Sequence, residues 1–310
     1  MKTVSVSASR QYEILIERGL LRRAGELVRS VTNAGTVMLV SDDSVWPLYG
    51  ETVQKSLAES GFSVCRFVFP HGENSKCAKT YLALLNALCE NRLTRADAVV
   101  ALGGGVTGDL AGFAASCYLR GVRVLQIPTT LLAMIDSSVG GKTGVDLKAG
   151  KNLAGTFWQP AAVIADTALL STLDKDVFVD GMAEAVKYGM IGSEELFGEI
   201  ERGHPDLEAM IFACIDQKRR FVEADERDTG SRQFLNFGHS FGHAIEKESG
   251  YAVSHGSAVA AGMVVACRLS ETLGLCGPDT TNRLRAVLRS CGLPDGTPYP
   301  PASLVDTLLL

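Results

Sequence analysis

A continuous apolar run followed at once by glycines constrains the fold of this chain more than any other feature. The run is Ala98-Val99-Val100-Ala101-Leu102, and Gly103-Gly104-Gly105 comes directly after it. A strand without a polar face suits a parallel sheet that is covered by helices on both faces. The glycines suit a tight turn from that strand into a helix. The run therefore predicts an α/β domain built around a parallel sheet.

Strand-like and helix-like segments alternate on both sides of this run, as is typical of βαβ units. Further strands are predicted at 12–16, 36–40, 63–69 and 122–127. Helical spacing first occurs at 20–31, 45–60 and 76–91. From Thr167 onward the spacing is helical throughout, with helices predicted at 178–190, 193–203, 206–224, 237–249, 256–273 and 280–291. We therefore predict an α/β plus all-α chain: a Rossmann-like domain over residues 1–168 and a helical domain over residues 169–310.

Composition excludes several classes of protein. The 310 residues carry a formal net charge of −5, which argues against a nucleic-acid-binding surface. No apolar run is long enough to cross a membrane, and the segment from Met1 to Ser5 lacks the apolar core of a signal peptide. The eight cysteines include no Cys-x-x-Cys pair, which favours reduced, mostly buried thiols in a cytoplasmic protein.

The glycine turn has the spacing Gly-x-Gly-x-x-Gly at positions 103, 105 and 108. In such a turn the backbone N–H groups and the helix N-terminus approach a pyrophosphate, although many glycine turns serve only packing. The usual dinucleotide fingerprint also has an acidic residue after the next strand, and here that strand ends in Pro128-Thr129-Thr130. If a dinucleotide binds, Glu73 or the segment Asp42-Asp43-Ser44 must therefore hold its ribose.

A second glycine-rich segment, from Ser137 to Gly144, does not match a phosphate-binding P-loop, because that motif requires glycine where Asp136 stands. The mismatch excludes a P-loop kinase or motor. Lys142 and Lys151 lie in turn-rich sequence, so they are either solvated surface residues or ligands of an anion.

Three histidines and one glutamate stand out in the predicted helical domain. His239 and His243 share one helical face, and His255 follows. Glu184 and Lys187 lie one turn apart on an earlier helix. The plainer interpretations are a packed histidine pair and a surface ion pair. One carboxylate and two imidazoles with an open position are also a known catalytic zinc arrangement.

A series of segments occurs in order over most of the chain: Pro70-x-Gly72-Glu73-x-x-Lys76, Gly103 to Phe113, Tyr118-x-Arg120-Gly121, Ile127 to Ala133, Asp136 to Asp146, Lys151-Asn152, Gly181 to Gly189, Arg232-x-x-Leu235 to His243, and His255-Gly256. In these segments and their order the chain resembles the 3-dehydroquinate synthase family of sugar phosphate cyclases. Together these segments are far more specific than any one of them.

The resemblance implies a carbon–oxygen lyase of the shikimate pathway, in aromatic amino acid biosynthesis. The enzyme would convert 3-deoxy-arabino-heptulosonate 7-phosphate to 3-dehydroquinate and phosphate. It would use NAD, regenerated in each turnover, and a zinc ion, for which cobalt is the alternative. The partners it implies are a sugar phosphate substrate and a second copy of the chain in a homodimer, with no nucleic acid and no membrane, in the cytoplasm.

The resemblance also assigns residues. The zinc ligands would be Glu184, His239 and His255, so that the helical domain is the metal-binding domain. The catalytic and substrate-binding residues would be Lys142, Asn152, Lys187, Lys218, Arg232, Asn236 and His243, with Arg120 reaching the neighbouring subunit's site. The expected cofactor site comprises Asp42, Ser44, Glu73, Lys76, Gly104, Gly105, Val106, Asp109, Thr129, Thr130, Asp136, Ser137, Lys142, Lys151, Leu169, Leu170, Ser171 and Thr172.

The sequence departs from the family pattern at four places. Asp174 to Phe178 stands where the family has Pro-x-Arg-Glu-Phe, His71 replaces an aspartate, and Ser257 replaces the glutamate that follows His-Gly. The family also continues with a segment containing Asp-Lys-Lys, whose lysine contacts the substrate anion. No such motif follows Pro300. We therefore expect the C-terminal domain either to be incomplete or to lack this contact.

Two other functions are compatible with parts of the pattern. Metal-dependent polyol dehydrogenases share the two-domain plan, and other sugar phosphate cyclases share most motifs. A dehydrogenase would produce net NADH, whereas the synthase would produce none. A non-catalytic relative would bind NAD or metal without releasing phosphate. The synthase is favoured over these alternatives by five residues that match its pattern: Arg120, Lys187, Arg232, Asn236 and His243.

Overall fold

The computed structural model of the protein describes residues 1–203 and 205–308. The chain divides into two units, Met1–Leu173 and the residues from Asp174 onward. The expected boundary followed residue 168, and the observed one comes five residues later. The reason is a short 3-10 helix, Thr167–Thr172, which continues directly from the last strand of the first unit. Asp166 caps this helix by accepting a bond of 2.9 Å from the Ala168 N–H.

The first unit contains nine strands and four α-helices among its residues, all of which the structure describes. The strands are β1 Lys2–Ser7, β2 Gln11–Glu17, β3 Thr36–Asp42, β4 Ser63–Phe69, β5 Ala98–Gly103, β6 Arg123–Pro128, β7 Lys142–Leu147, β8 Gly150–Phe157 and β9 Ala162–Asp166. The helices are α1 Ala24–Val31, α2 Glu51–Glu59, α3 Ala78–Glu90 and α4 Gly105–Cys117. Short 3-10 or π-helical turns precede α1 and α2.

Seven of the strands form one sheet in the order β1-β2-β9-β6-β5-β3-β4. Only β1 is antiparallel to its neighbour. The central strand β5 is buried along its whole length, as its unbroken apolar sequence predicts. Side chains of β3 and β5 pack against Leu84 of α3 and Leu110 of α4 in one cluster. The predicted parallel sheet is therefore present, and the carboxyl ends of its parallel strands share one edge.

Four strands lie outside the predicted set: β1, β7, β8 and β9. The most consequential are β7 and β8, because they form an antiparallel hairpin where the sequence analysis expected turns. Lys142 is the first residue of β7, and Lys151 and Asn152 lie in β8. The hairpin packs on α4 so closely that a Cβ on Gly112 would lie 2.4 Å from Thr143.

The described part of the second unit is helical and has no strand, as predicted. Its α-helices are α5 Lys175–Gly192, α6 Glu194–Glu201, α7 Leu207–Ala224, α8 His239–Glu248, α9 His255–Thr272, α10 Thr280–Ser290 and α11 Pro301–Leu308. Helix α5 contacts α6, α7, α9 and a 3-10 helix, Ser231–Asn236, and α8 packs along α9. Among the described residues no helix is both long and apolar enough to span a membrane.

Candidate active site

The predicted cofactor residues of the first unit lie mainly at the carboxyl edge of its sheet. Strand β3 ends at Asp42, β5 ends at Gly103 and β6 ends just before Thr129. The Thr129 N–H bonds to the Gly103 carbonyl at 3.0 Å, which joins the two loops. In open α/β sheets ligands bind outside the carboxyl ends of the strands. The fold therefore brings these segments to the edge where a dinucleotide would bind.

The glycine turn is shaped by close neighbours. A Cβ on Gly104 would lie 3.2 Å from Thr130, and a Cβ on Gly105 would lie 3.2 Å from Ser137. The structure thus brings Thr130 and Ser137 against the N-terminus of α4, which begins at Gly105. Val106 and Asp109 lie in the first turns of the same helix. Because the first N–H groups of a helix have no partner within it, this end suits a phosphate.

Asp42 is held by its own turn. Its Oδ1 accepts bonds from the N–H of Ser44 at 3.0 Å and of Val45 at 2.9 Å, and its Oδ2 accepts one from the Thr107 hydroxyl at 3.2 Å. These bonds fix the chain where it leaves β3. Glu73, by contrast, is exposed in a short 3-10 helix. Among the predicted ribose partners, Asp42 is buried, whereas Asp43, Ser44 and Glu73 are exposed.

Lys76 is buried and joins two other predicted site residues, Asp109 and Asn152. Its ammonium donates to Asp109 Oδ2 at 2.5 Å and to Asn152 Oδ1 at 2.6 Å, while the Lys76 side chain is 6% exposed. Burial lowers the pKa of Lys76, but the neighbouring Asp109 outweighs it and the pKa is raised overall. Lys76 therefore stays charged and ties the hairpin to the first turn of α4.

The remaining predicted residues of the first unit are more exposed. Lys142 is exposed at the start of β7, and Arg120 is exposed with a left-handed backbone φ of 66°. Asn152 has a φ of 57° and donates its N–H to Asp146 Oδ1 at 2.7 Å. In the 3-10 helix of residues 167–172, Leu169 and Leu170 are buried while Ser171 and Thr172 are exposed. Leu169 accepts a bond from the Tyr49 hydroxyl through its carbonyl.

The second unit brings Glu184, His239 and His255 together. One potential ligand atom from each residue lies within 4.8 Å of the others. Both imidazoles present Nε2 to Glu184 Oε1, at 3.5 Å from His239 and 3.6 Å from His255. The three residues come from α8, α9 and α5, and the Glu184 side chain is only 1% exposed. A carboxylate and two imidazoles converging on one point form the donor set of a catalytic zinc site.

Both histidines are oriented through their other ring nitrogen. His239 Nδ1 lies 3.3 Å from the Phe237 carbonyl, to which it can donate. His255 Nδ1 faces Glu246 Oε2 at 3.7 Å. Such partners keep the proton on Nδ1 and leave the Nε2 lone pair for a metal. Glu246 is not among the predicted site residues, although its position seven residues after His239 on one helix was a usable signal.

The electrostatics of His255 are consistent with a strongly anionic site. Burial lowers the pKa of this imidazole, but hydrogen bonds and charge from Glu184 and Glu246 raise it to about 10. Without a cation, the two carboxylates therefore hold a proton on His255. A divalent ion would supply the same positive charge, and the residues present fit one.

Three predicted substrate cations of this unit are deeply buried. Lys187, Lys218 and Arg232 are 2%, 5% and 1% exposed, on α5, α7 and the 3-10 helix 231–236 that packs with them. The Lys187 ammonium contacts Glu184 Oε2, and Arg232 donates to the Glu226 carbonyl at 2.7 Å. Positive charge in a poorly solvated region attracts phosphate or carboxylate strongly.

His243 and Asn236 are exposed. The His243 ring centre lies 5.6 Å from that of His239 and 6.4 Å from that of His255. His243 therefore borders the candidate metal centre, and it does not belong to the cluster whose ligand atoms converge.

Family models match nearly the whole length from residue 66 onward. The model of the 3-dehydroquinate synthase N-terminal domain matches residues 66–180, and that of the C-terminal domain matches residues 181–309. The chain belongs to the 3-dehydroquinate synthase family. The 3-dehydroquinate synthase of Clostridium acetobutylicum is 43% identical over 302 residues, which cover 95% of this chain and 85% of that protein.

Solved structures of other cyclases are similar in three dimensions. The 2-epi-5-epi-valiolone synthase of Streptomyces hygroscopicus, with NAD+ and Zn2+ bound, has a TM-score of 0.88 and 28% identity, covering 99% of this chain and 88% of its own. A 2-deoxy-scyllo-inosose synthase complexed with carbaglucose-6-phosphate, NAD+ and Co2+ has a TM-score of 0.87 and 28% identity, covering 99% and 86%.

These similarities confirm the predicted family, fold class and activity, which is 3-dehydroquinate synthesis. They do not favour the dehydrogenase alternative, because the relatives with 43% identity are synthases. In the synthase family context, the cluster of Glu184, His239 and His255 is the candidate metal centre, and the carboxyl edge of the sheet is the candidate cofactor site.

Proposed function

We propose that the chain converts 3-deoxy-arabino-heptulosonate 7-phosphate to 3-dehydroquinate with NAD held by its N-terminal domain and a zinc ion held by its C-terminal domain. The observation that carries this proposal is the convergence of Glu184, His239 and His255, whose ligand atoms lie within 4.8 Å of one another. NAD and a divalent metal are also present in the solved structures of related cyclases.

In the metal centre, Glu184, His239 and His255 would be the ligands. When bound, zinc or cobalt supplies a Lewis acid that stabilises negative charge on a substrate oxygen. Phe237 and Glu246 would keep the two imidazoles oriented through Nδ1. Lys187, which contacts Glu184, would remain beside the site and present its ammonium to the substrate.

In the cofactor site, the N-terminus of α4 would face the pyrophosphate, and Glu73 would hold the ribose. When bound, NAD supplies a hydride acceptor that is restored within each turnover. The hydrogen bonds from the buried Lys76 to Asp109 and Asn152 would fix the glycine turn relative to the hairpin. Its contribution is the alignment of cofactor and substrate, because small misplacements of reacting groups cost much of the rate.

Each unit contributes proposed substrate residues, because the substrate carries a carboxylate and a phosphate. In the second unit, Lys187, Lys218 and Arg232 would bind these anions. In the first unit, Lys142 and Asn152 would contact the substrate. Asn236 and His243 of the second unit would also contact it, with His243 exchanging protons with the substrate. Arg120, exposed on the first unit, would act in the site of a neighbouring subunit, so a homodimer is part of the proposal.

The cytoplasm is also part of the proposal. It is supported by the eight cysteines, all of which are free thiols, because a reducing compartment keeps thiols in that state. The structure corrects one detail: Cys214 and Cys267 alone are buried, so the thiols are not mostly buried as expected.

The decisive experiment supplies the heptulosonate phosphate, NAD and Zn2+ to the purified protein. Phosphate and 3-dehydroquinate should appear in equal amounts, with no net accumulation of NADH at 340 nm. Net NADH without phosphate would contradict the synthase reaction and would point to a dehydrogenase.

The metal assignment is tested with His255→Ala. This change should remove bound zinc, measured by elemental analysis, and abolish phosphate release. Lys247→Ala is the matched control, because Lys247 is exposed on the same bundle of helices and should leave zinc content unchanged. Full zinc occupancy in His255→Ala would contradict the ligand set.

A further inference from the structure

The helix that begins at His255 is capped by a residue of another helix. Ser254 is the N-cap residue of α9, and its side chain makes no capping bond within α9. Instead, Asp180 Oδ1 of α5 accepts bonds from the Ser254 hydroxyl at 2.5 Å and from the Ser257 N–H at 3.1 Å. A carboxylate at this position satisfies an N–H group of the first turn and complements the helix dipole.

The backbones of the two helices also touch beside this cap. A Cβ on Gly256 would lie 2.1 Å from the Asp180 carbonyl oxygen and 2.7 Å from its Oδ1. Only glycine permits this approach. Residues on both sides of His255, at positions 254, 256 and 257, therefore contact Asp180.

Asp180 and Glu184 lie four residues apart on α5, so they share one face of that helix. Asp180 holds the first turn of α9, where His255 resides, while Glu184 faces the His255 imidazole at 3.6 Å. The same helix thus supplies one candidate metal ligand and fixes the backbone of another.

We propose that Asp180 is a positioning residue for the metal centre, which sets His255 relative to Glu184 by capping α9. The inference rests on the proposed metal centre. Asp180 would not contact the metal: it would act through the backbone of residues 254–257. The side chain of Ser257 is not needed for this role, because its N–H makes the bond.

The test measures Co2+ affinity by competition with a chelator, together with the visible absorption spectrum of the bound Co2+. Asp180→Ala should weaken Co2+ binding about tenfold or more, as is typical for residues that orient metal ligands, and should change the spectrum because the ligand geometry changes. Asp180→Asn keeps an acceptor at Oδ1, so it should retain more affinity than Asp180→Ala. Ser254→Ala should cause a smaller loss, and adding it to Asp180→Ala should have little further effect.

The matched control is Asp176→Ala. Asp176 lies one turn earlier on α5 and borders the same surface cavity as Asp180, but among the described residues its carboxylate makes no bond to α9. This variant should bind Co2+ as the unaltered protein does. Circular dichroism of each metal-free variant shows whether the fold is intact.

The possible results distinguish a failure of the proposed metal centre from a failure of the proposed role of Asp180. Unaltered protein that binds no Co2+ would overturn the metal centre and the role of Asp180 with it. Unaltered protein that binds Co2+, with a folded Asp180→Ala variant of equal affinity and spectrum, would overturn the role of Asp180 alone. Lower thermal stability of Asp180→Ala without a change in Co2+ affinity would also overturn it, since the role would then be structural.

Discussion

His71, an expected departure from the family pattern, is paired with Asp43. Its N–H and its Nδ1 both face Asp43 Oδ1, at 2.8 Å and 2.7 Å. The backbone and side-chain hydrogen bonds from His71 lower the pKa of Asp43, and the bond to Asp43 raises the pKa of His71. A second aspartate here would place two carboxylates side by side. The pair joins the loop after β4 to the loop after β3.

This pair predicts a pH dependence of stability. The raised pKa of His71 means that its contribution is fully present below the unfolded value near 6.5 and is lost as pH rises through the folded value. The lowered pKa of Asp43 means that its contribution is present above the unfolded value near 3.8 and is lost as pH falls through the folded value. The thermal midpoint of the unaltered protein should therefore exceed that of His71→Ala by more at pH 6 than at pH 9.

The control for this comparison is Asp43→Asn, in which the NMR titration of His71 should move back toward 6.5. Equal differences in thermal midpoint at pH 6 and pH 9 would contradict the ion pair.

Lys76 gives a second prediction for a single residue. Lys76→Met should lower the free energy of unfolding by about 1–3 kcal/mol, because Asp109 and Asn152 lose the hydrogen bonds that the buried Lys76 ammonium donates. Chemical denaturation measures this change. Lys79→Met, at an exposed position in the first turn of α3, should change the free energy by less than about 0.5 kcal/mol. Equal effects of the two changes would show that the network does not stabilise the fold.

Among the elements, the hairpin of β7 and β8 shows where prediction from sequence stopped. Gly144 and the lysines at 142 and 151 lie in turn-rich sequence, which predicts turns. The hairpin needs Gly144 and Gly155 for close backbone contact: a Cβ on Gly155 would lie 2.0 Å from the Thr143 carbonyl oxygen. Strand β1 was missed for another reason, since only Val4 and Val6 of its six residues are buried. The long helices and β5, in contrast, were predictable, because the helices have a clear periodicity and β5 is an unbroken apolar run.

The hairpin contact yields a prediction at this scale. Gly155→Ala should destabilise the first unit by about 1–3 kcal/mol, because backbone cannot move aside as a flexible side chain can. Hydrogen exchange of the β7 and β8 amides should become faster.

The matched control is Gly150→Ala in the same strand. A Cβ there would meet only the Leu153 side chain, at 3.3 Å, and should be tolerated. Equal protection of the hairpin amides in both variants would contradict the steric argument.

The sequence predicted the three residues that converge in the candidate metal centre, and it did not predict the residues that support them. Glu184, His239 and His255 followed from family motifs, and chain order alone does not say which carboxylate will face His255 Nδ1. Glu246 and Asp180 belong to helices that pack against α9. This tertiary packing decides which carboxylates support His255, so the local sequence does not reveal them.

For the whole molecule, we expect each of the two units to respond to its own ligand. Zn2+ should slow hydrogen exchange in α5, α8 and α9, while NAD should slow it in the loops after β3, β5 and β6. At 100 times its dissociation constant, either ligand should stabilise its own unit by about 2.7 kcal/mol. Mass spectrometry of exchanged peptides measures both effects, and chelation of the metal should reverse the first. Zn2+ protection confined to the first unit would contradict the assignment.

The strand order has a further consequence, for synthesis on the ribosome. Strand β2 joins the large sheet through β9, with Glu13 opposite Ala162, so its partner is made 149 positions later (162 against 13). At ribosomal speeds of roughly 5–20 residues per second, that wait lasts about 7–30 s. An isolated two-stranded hairpin is marginal in water, and β1 with β2 would meanwhile expose Val4, Val6, Ile14 and Ile16. In the nascent chain the first hairpin therefore lacks its partner strand β9, and its exposed apolar side chains make it aggregation-prone until nearly the whole N-terminal domain has been synthesised.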